Sequence, residues 1–294
     1  MKISPYLLFI SLFFYLGSVL SAQESQVFDN ESFHSEILKK EKFYSIYLPP
    51  GYDQSTQKYP VVYLLHGYGS AKQKHQNWIK HGDLQKKVDS AISIGRISPL
   101  IIVMPDAEMT YYMNNVNGDY AIEDFIIKEL LPYIDKKYRS YGEKKYRAIV
   151  GLSMGGFGAM LYSLHHPELF SACAALSPAI RTTQEIIDMP HDQYLNRYRS
   201  AVGNIEEGAD RITGFWRSND LLYLVKNMPE DQKGQVRFYF DVGDEDFLYN
   251  GNSLMHILMR ELNIPHEYRV RDGGHNWEYW RSGLEDALEF LFEE

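Results

Sequence analysis

Apolar residues along this chain form short, dense runs that are separated by longer segments with helical spacing. Four runs bounded by glycine, proline or polar residues predict strands: 59–66 (YPVVYLLH), 99–105 (PLIIVMP), 146–150 (YRAIV) and 235–240 (QVRFYF). Strands that are apolar on both faces are typical of a parallel sheet covered by helices. Two earlier runs, 32–38 and 42–48, predict a further strand pair joined by a charged turn.

Helical spacing fills the intervals between these runs. In residues 123–137 the side chains of Ile126, Leu130 and Ile134 fall on one stripe, with charged residues opposite. Pro132 lies inside this stretch and predicts a kink. Further helices are predicted over 154–165, 254–262 and 278–292. The alternation of strand and helix predicts an α/β domain with a mainly parallel central sheet covered by helices and right-handed crossovers.

Residues 180–233 break this rhythm. The segment is polar and helix-like, and it is far longer than an ordinary connection of ~4–6 residues. It predicts a helical insertion or cap on the domain. Without a repeat, a linker or a low-complexity tract, residues 23–294 are interpreted as one domain.

The first 22 residues are typical of a secretory signal peptide. Lys2 is followed by the apolar run 6–20 and by the small residues Ser21 and Ala22. The run is shorter than the ~20 residues of a bilayer-spanning helix, although a retained N-terminal anchor is the alternative. We therefore expect a secreted or periplasmic protein that leaves the membrane once the signal is removed.

Charge and cysteine content exclude several classes of function. The chain carries 30 Lys+Arg against 39 Asp+Glu, a net charge of −9, which argues against a nucleic-acid partner because phosphate binding depends on Lys and Arg. Cys173 is the only cysteine, so an intramolecular disulfide and a cysteine-based zinc site are both excluded. Its small apolar neighbours favour a buried core thiol.

The strongest chemical signal lies in residues 148–159 (AIVGLSMGGFGA). A predicted strand leads into the G-x-S-x-G sequence 151–155 and a predicted helix leads out of it, which is the context that a nucleophilic serine motif requires. The turn is so sharp that side chains larger than glycine at 151 and 155 would collide. The start of the helix also directs free N–H groups and its positive dipole end at the reaction centre. Ser153 is the predicted nucleophile, with a plain glycine-rich turn as the alternative.

A serine hydroxyl needs a base that accepts its proton. Among ten histidines, His275 is the best placed, because it lies in a loop with two glycines between an apparent strand and the last helix. His66 is the main competitor, but it stands at a strand end before a glycine and is interpreted as a structural part of that loop. His165 and His166 end the helix after Ser153, where they would stabilise its carboxyl end.

The base in turn needs a carboxylate that orients it and stabilises its cation. In α/β-hydrolases the acid lies between the serine and the histidine in chain order. Four carboxylates crowd residues 241–246 (DVGDED), so spacing alone does not choose among them. Asp246 is our first candidate and Asp244 the alternative. A calcium site is a rival interpretation of the cluster, although the EF-hand spacing is absent.

An oxyanion hole requires two backbone N–H donors near the attacked carbonyl oxygen. Met154, directly after the nucleophile, supplies one of them. The His-Gly-x-Gly sequence at 66–69 resembles a hydrolase oxyanion loop and makes the N–H of Tyr68 the second predicted donor. The alternative for this sequence is a plain glycine turn.

Six segments in the same order resemble the esterase D-like family: 64–69 (LLHGYG), 102–106 (IVMPD), 151–156 (GLSMGG), 166–170 (HPELF), 243–246 (GDED) and 273–277 (GGHNW). The family includes bacterial feruloyl and acetylxylan esterases, tributyrin esterases, S-formylglutathione hydrolases and mycolyltransferases. The resemblance covers roughly residue 32 to the C-terminus and implies the α/β-hydrolase fold. It places the nucleophile at Ser153, the base at His275 and the oxyanion donor at Tyr68. It also favours Asp246 over Asp244, because the family acid follows the loop glycine by three residues.

These observations predict a secreted serine carboxylic-ester hydrolase that uses a Ser-His-Asp triad and an acyl-enzyme, without a metal or organic cofactor. Esters of plant polysaccharides, feruloyl or acetyl, are the predicted substrates, because the predicted signal peptide disfavours the cytoplasmic S-formylglutathione hydrolases. Tyr112, Trp277 and Trp216 are the aromatic residues predicted to contact substrate. A periplasmic siderophore esterase and an acyltransferase of the same fold are the alternatives, and a non-catalytic sugar-binding module is a third. The acyl group, the alcohol and the oligomeric state are not determined by the sequence.

Overall fold

The computed structural model describes residues 24–69, 73–203 and 208–292, so the predicted signal peptide lies outside the described residues. Within the described part of the chain, eight strands form one sheet. They are β1 (Gln26–Ser35), β2 (Lys40–Leu48), β3 (Val61–Leu65), β4 (Ile101–Pro105), β5 (Arg147–Leu152), β6 (Ala172–Leu176), β7 (Arg237–Gly243) and β8 (His266–Arg271).

The strand order is β1-β2-β4-β3-β5-β6-β7-β8. β1 pairs antiparallel with β2, and β2 pairs antiparallel with β4. From β4 onward every neighbouring pair is parallel. The sheet is therefore mixed but mostly parallel, as the alternating pattern predicts, with the antiparallel hairpin at one edge.

Helices cover this sheet and make up the insertion. They are α1 (Asn77–Gly82), α2 (Leu84–Ser93), α3 (Ile122–Asp124), the π-helical segment Phe125–Leu130, α4 (Leu131–Lys137), α5 (Met154–His165), α6 (Thr183–Ile187), α7 (His191–Val202), α8 (Gly214–Arg217), α9 (Leu221–Lys226), α10 (Tyr249–Glu261) and α11 (Trp277–Phe290). Short 3-10 helices span Lys74–Gln76, Lys144–Tyr146, Gly208–Arg211 and Glu230–Gln232. None of the helices in the described ranges has the length and apolar character needed to cross a membrane.

Successive side chains of the central strands are buried on opposite faces of the sheet. Tyr63 and Leu65 of β3 pack in the cluster that contains Met160 of α5, whereas Leu64 packs with Val88 of α2 in the opposite cluster. Period-two alternation sends successive side chains to opposite faces, and both faces are covered here. The helix α5, which follows the predicted nucleophile, is thus held against the middle of the sheet.

Two local features differ from the expected pattern. β6 was not expected, because its sequence ACAAL has the small residues that carry little strand preference; its Cys173 is fully buried, as predicted. The stretch containing Pro132 runs through a π-helical segment just before that proline. A proline lacks an N–H donor and crowds the carbonyl four residues earlier, and wider π turns occur where a regular ladder is interrupted.

The segment 180–233 contains α6 to α9 and no strand among its described residues. Its first helix is well capped, because Thr182 accepts from the N–H of Glu185 while the Glu185 carboxylate accepts from the N–H of Thr182. The predicted helical insertion is therefore present, between β6 and β7.

Candidate active site

Ser153 lies at the turn between β5 and α5 in a strained backbone conformation with positive φ, at φ 54° and ψ −116°. A Cβ atom at Gly151 would overlap the carbonyl of Gly155, and one at Gly155 would lie 2.5 Å from the carbonyl oxygen of Leu65. Both glycines are therefore required by close backbone approach, as the motif predicts. The strained turn presents the Ser153 side chain at the carboxyl edge of the sheet.

His275 lies between Ser153 and Asp246. Its Nε2 is 2.8 Å from Ser153 Oγ, and its Nδ1 is 2.8 Å from Asp246 Oδ2. Because an ionised carboxylate only accepts hydrogen bonds, Nδ1 donates to Asp246 and Nε2 is left to accept the Ser153 proton. The structure thus brings together all three predicted members of the triad.

Asp246 is fully buried, and its Oδ1 accepts from the N–H of Leu248 at 2.9 Å. Burial alone would raise the pKa of this carboxyl, but the hydrogen bond and charge of His275 outweigh it and hold the pKa below its ordinary value. Asp246 is therefore placed to remain ionised and to stabilise an imidazolium at His275.

The other acids of the loop have different partners. Asp244 accepts from the N–H of Gly273 at 2.9 Å and so fixes the loop that carries His275. Asp241 is buried and accepts from Arg271 Nη2 at 2.8 Å. The cluster is not organised around a cation, because its side chains point to three separate partners. Asp246, and not Asp244, is therefore the carboxylate that faces His275. The same geometry does not support the calcium interpretation.

The loop after β3 lies against the nucleophile. A Cβ atom at Gly67 would lie 3.5 Å from Ser153 Cβ and 2.5 Å from Leu152 Cδ1, so this loop packs closely against the turn that carries the nucleophile. Tyr68 follows directly. Met154 is the first residue of α5, and the N–H of a first helical residue has no intrahelical acceptor. Both predicted oxyanion donors therefore lie next to Ser153.

His66 is a buried structural residue, as interpreted from the sequence. Its Nδ1 donates to the carbonyl of Gly67 at 2.9 Å, and its Nε2 accepts from the N–H of Ala107 at 3.0 Å. Both partners fit only the neutral imidazole with the proton on Nδ1. Burial lowers the pKa of His66 from 6.5 to about 4. His66 thus ties the oxyanion loop to the segment after β4.

The predicted substrate contact at Tyr112 is wrong. Its side chain is 0% exposed, its hydroxyl donates to the carbonyl of His66, and its ring packs where a Cβ atom at Gly158 would stand. Both Tyr111 and Tyr112 have positive φ, so the loop turns sharply and directs Tyr112 into the core. A sequence pattern does not reveal that inward turn.

Trp216 and Trp277 each pack against other aromatic rings. Trp216 is buried behind Tyr198, with ring centroids 5.0 Å apart. Trp277 packs edge-on to Trp78 at 5.4 Å. The ring of Trp277 also lies 5.4 Å from that of Trp280. Substrate contact by Trp216 and Trp277 stays a prediction.

Two aromatic residues contact the base directly, Trp280 and Phe247, and Phe247 was not predicted from the sequence. The ring of Trp280 lies 4.9 Å from that of His275, and the ring of Phe247 lies 4.7 Å away. Trp280 is buried and supports the imidazole, whereas Phe247 is 52% exposed. The position of Phe247 directly after Asp246 was the signal that could have identified it.

The insertion reaches the oxyanion loop. The hydroxyl of Tyr68 donates to the carbonyl of Asn196 in α7 at 2.6 Å. The ring of Tyr198, also in α7, lies 4.6 Å from that of Tyr111. The insertion therefore forms one wall beside the nucleophile.

A serine on a strand–helix turn, a histidine that can accept its proton, and a buried carboxylate behind that histidine define a serine hydrolase of the α/β-hydrolase fold. The Esterase family model matches residues 35–291, and the chain belongs to that family of carboxylic-ester hydrolases.

Relatives share this architecture. A solved structure described as a ferulic acid esterase is 32% identical with a TM-score of 0.77, covering 92% of this chain and 98% of that one. An acetyl esterase of Caldicellulosiruptor saccharolyticus is 23% identical over 88% of this chain and 96% of its own. An endo-1,4-beta-xylanase/feruloyl esterase of Xylanibacter ruminicola is 33% identical over 56% of this chain, and the match spans only 23% of that longer protein.

Proposed function

We propose that this esterase hydrolyses feruloyl-type esters, in which a hydroxycinnamic acid is linked to a plant polysaccharide, and that it acts outside the cytoplasm. The observation that carries the proposal is Phe247, an aromatic side chain that is 52% exposed while its ring lies 4.7 Å from that of His275. Exposed aromatic rings beside a reaction centre offer a stacking surface to a flat acyl group or a sugar.

The reaction follows from the geometry of the triad. Ser153 Oγ attacks the ester carbonyl while His275 Nε2 takes its proton, and the N–H groups of Tyr68 and Met154 bind the developing oxyanion. His275 then protonates the departing alcohol, leaving an acyl group on Ser153. Water activated by the same nitrogen releases the acid and restores the serine.

Two relatives that are named feruloyl or ferulic acid esterases support the aromatic acyl group. They are the ferulic acid esterase at 32% identity and the xylanase/feruloyl esterase at 33% identity. The acetyl esterase relative is described by a smaller acyl group and is less similar, at 23% identity. Acetyl esters are therefore the competing substrate class in the test below.

A substrate panel on purified protein tests this proposal. We expect kcat/KM for methyl ferulate to exceed the values for acetylated xylan and for the siderophore ester enterobactin. We also expect Phe247→Ala to raise KM for methyl ferulate by about two- to ten-fold, because stacked aromatic pairs contribute roughly 0.5–1.5 kcal/mol. The same variant should change p-nitrophenyl acetate turnover little.

The matched control is Tyr249→Ala, which removes another exposed aromatic residue two positions along the chain. This control variant should leave KM for methyl ferulate and turnover of p-nitrophenyl acetate unchanged. A protein that prefers acetylated xylan or enterobactin contradicts the feruloyl proposal, as does equal loss for both substrates in Phe247→Ala. An added sugar acceptor that diverts the acyl group into a new ester would instead indicate an acyltransferase.

Export is part of the proposal and rests on residues 1–22 alone. We expect the protein recovered from the culture medium or periplasm of the producing cell to begin near Gln23. Intact-mass measurement tests this, and a chain that keeps its first 22 residues in the cytoplasm contradicts it.

A further inference from the structure

Two consecutive histidines and a buried glutamate converge at the end of α5 that is remote from Ser153. His165 Nδ1 and His166 Nε2 each lie 2.8 Å from the same oxygen, Glu123 Oε1. The ligand atoms of the three residues all lie within 4.8 Å of one another. Within the described residues, this is the one group of three or more such side chains with that spacing.

The surroundings of His165 fix the role of each ring nitrogen. Its Nε2 lies 2.8 Å from the carbonyl oxygen of Ser218, which can only accept a hydrogen bond, so Nε2 donates to it. Its Nδ1 donates to the Glu123 carboxylate, and a cation bound between Nδ1 and that carboxylate would take the place of the Nδ1 proton. Metal-bound histidines usually donate their other ring N–H to a carbonyl or carboxylate in this way.

His166 has only a more distant acidic neighbour on its second ring nitrogen. Its Nε2 faces Glu123, and its Nδ1 lies 3.8 Å from Glu168 Oε1, beyond hydrogen-bond distance. The side chain of Glu123 is 10% exposed, whereas those of His165 and His166 are 23% and 26% exposed. The cluster is thus anchored on a buried carboxylate and open to solvent on its histidine side.

We propose that Glu123, His165 and His166 bind one divalent transition-metal ion of the zinc type, with water as the fourth ligand. Zinc favours imidazole and carboxylate donors at ~2.0–2.2 Å in a tetrahedron, where neighbouring donors are separated by roughly 3.3 Å. The two nitrogen-to-Glu123 separations of 2.8 Å need to widen by about half an ångström to reach that value, and the two histidine nitrogens lie within 4.8 Å of each other.

The ion would have a structural role. α5 has twelve residues, so its two ends are roughly 18 Å apart, and the site lies too far from Ser153 for direct participation. It joins α3, the end of α5, and Ser218 directly after α8 in the insertion. Metal binding would therefore fasten the insertion, which forms one wall of the active site, to the helix that carries the nucleophile.

Titration of untagged, chelator-treated full-length protein with zinc chloride tests the proposal. We expect one zinc ion per chain, a rise in Tm on zinc addition, and a visible d–d spectrum when cobalt(II) is used instead. Glu123→Gln and His165→Gln should each weaken zinc binding at least about 100-fold and abolish the rise in Tm. The matched control is His256→Gln, which alters another close histidine pair, with His266 Nε2 2.8 Å away, and should bind zinc normally.

His166→Cys separates a ligand from a merely structural residue. A thiolate also binds zinc and cobalt(II), so this variant should retain one ion and add a sulfur-to-cobalt charge-transfer band in the near ultraviolet. The natural Cys173 is buried and should give no such band in the wild type. Absence of zinc binding in the wild type, or unchanged affinity in Glu123→Gln and His165→Gln, overturns the proposal and leaves a hydrogen-bonded cluster only.

Discussion

Acidification should destabilise the fold through His66, the buried histidine that supports the oxyanion loop. Its folded-state pKa is lowered by burial to about 4, from an ordinary value of 6.5. Nε2 of His66 accepts a hydrogen bond from the N–H of Ala107. Protonation of Nε2 would break this bond and place the two N–H groups in repulsive contact. The unfolded chain therefore takes up this proton first as the pH falls.

The size of the effect follows from the two pKa values. At about 1.4 kcal/mol for each pKa unit, the gap corresponds to roughly 3 kcal/mol of unfolding free energy. This contribution is complete above pH 6.5, declines as the pH falls from 6.5 to about 4, and is lost below that pH. Carboxyl groups titrate over part of the same range, so a difference between variants is needed to isolate it.

His66→Gln supplies that difference, because an amide can accept from Ala107 and donate to Gly67 without becoming charged. Urea unfolding of both proteins at neutral pH and near pH 4 gives the free-energy gap between them at each pH. We expect the stability advantage of the wild type to shrink by about 3 kcal/mol at the acidic pH. His34→Gln, at an exposed histidine, controls for the loss of an imidazole. If the difference in unfolding free energy between wild type and His66→Gln is the same at both pH values, protonation of His66 does not destabilise the fold.

Two further substitutions test the positions of the site residues. Asp246→Asn should lower kcat about 10³- to 10⁴-fold, since the amide cannot stabilise the His275 cation. Asp244→Asn should change kcat by less than about ten-fold, because that residue only fixes the loop. Equal losses of kcat in a steady-state ester assay would contradict the assignment of Asp246. Gly151→Ala should lower the unfolding free energy by about 3 kcal/mol or prevent folding, since its Cβ meets the Gly155 carbonyl. Gly214→Ala, where a Cβ meets nothing within 4 Å, should leave the Tm of thermal unfolding nearly unchanged. Similar Tm values for the two variants would refute the steric explanation.

The chemistry of the site was predictable because its signals are local. A strand, a G-x-S-x-G turn and a helix predict Ser153, and a glycine-containing loop before the last helix predicts His275. Asp246 required either a family resemblance or coordinates, because four carboxylates stand together and only the fold decides which one faces His275.

The walls of the site were not predictable in the same way. Tyr112 turns into the core because its loop has positive φ at two successive residues, and Phe247 lines the site because of where β7 ends. Glu123 lies 42 positions before His165, so the pattern that identified the helix-ending histidines could not reveal their carboxylate partner. β6 was not predicted from the sequence because it consists mostly of small residues that carry little strand preference.

Labelling with a fluorophosphonate probe, followed by peptide mapping and an ester assay, shows whether Ser153 is the nucleophile. We expect a single adduct on Ser153, loss of the adduct in Ser153→Ala, and a fall of at least about 10³-fold in p-nitrophenyl acetate hydrolysis by that variant. A Ser153→Ala protein that cleaves the ester at the wild-type rate, or an adduct that maps to another residue, would contradict this assignment.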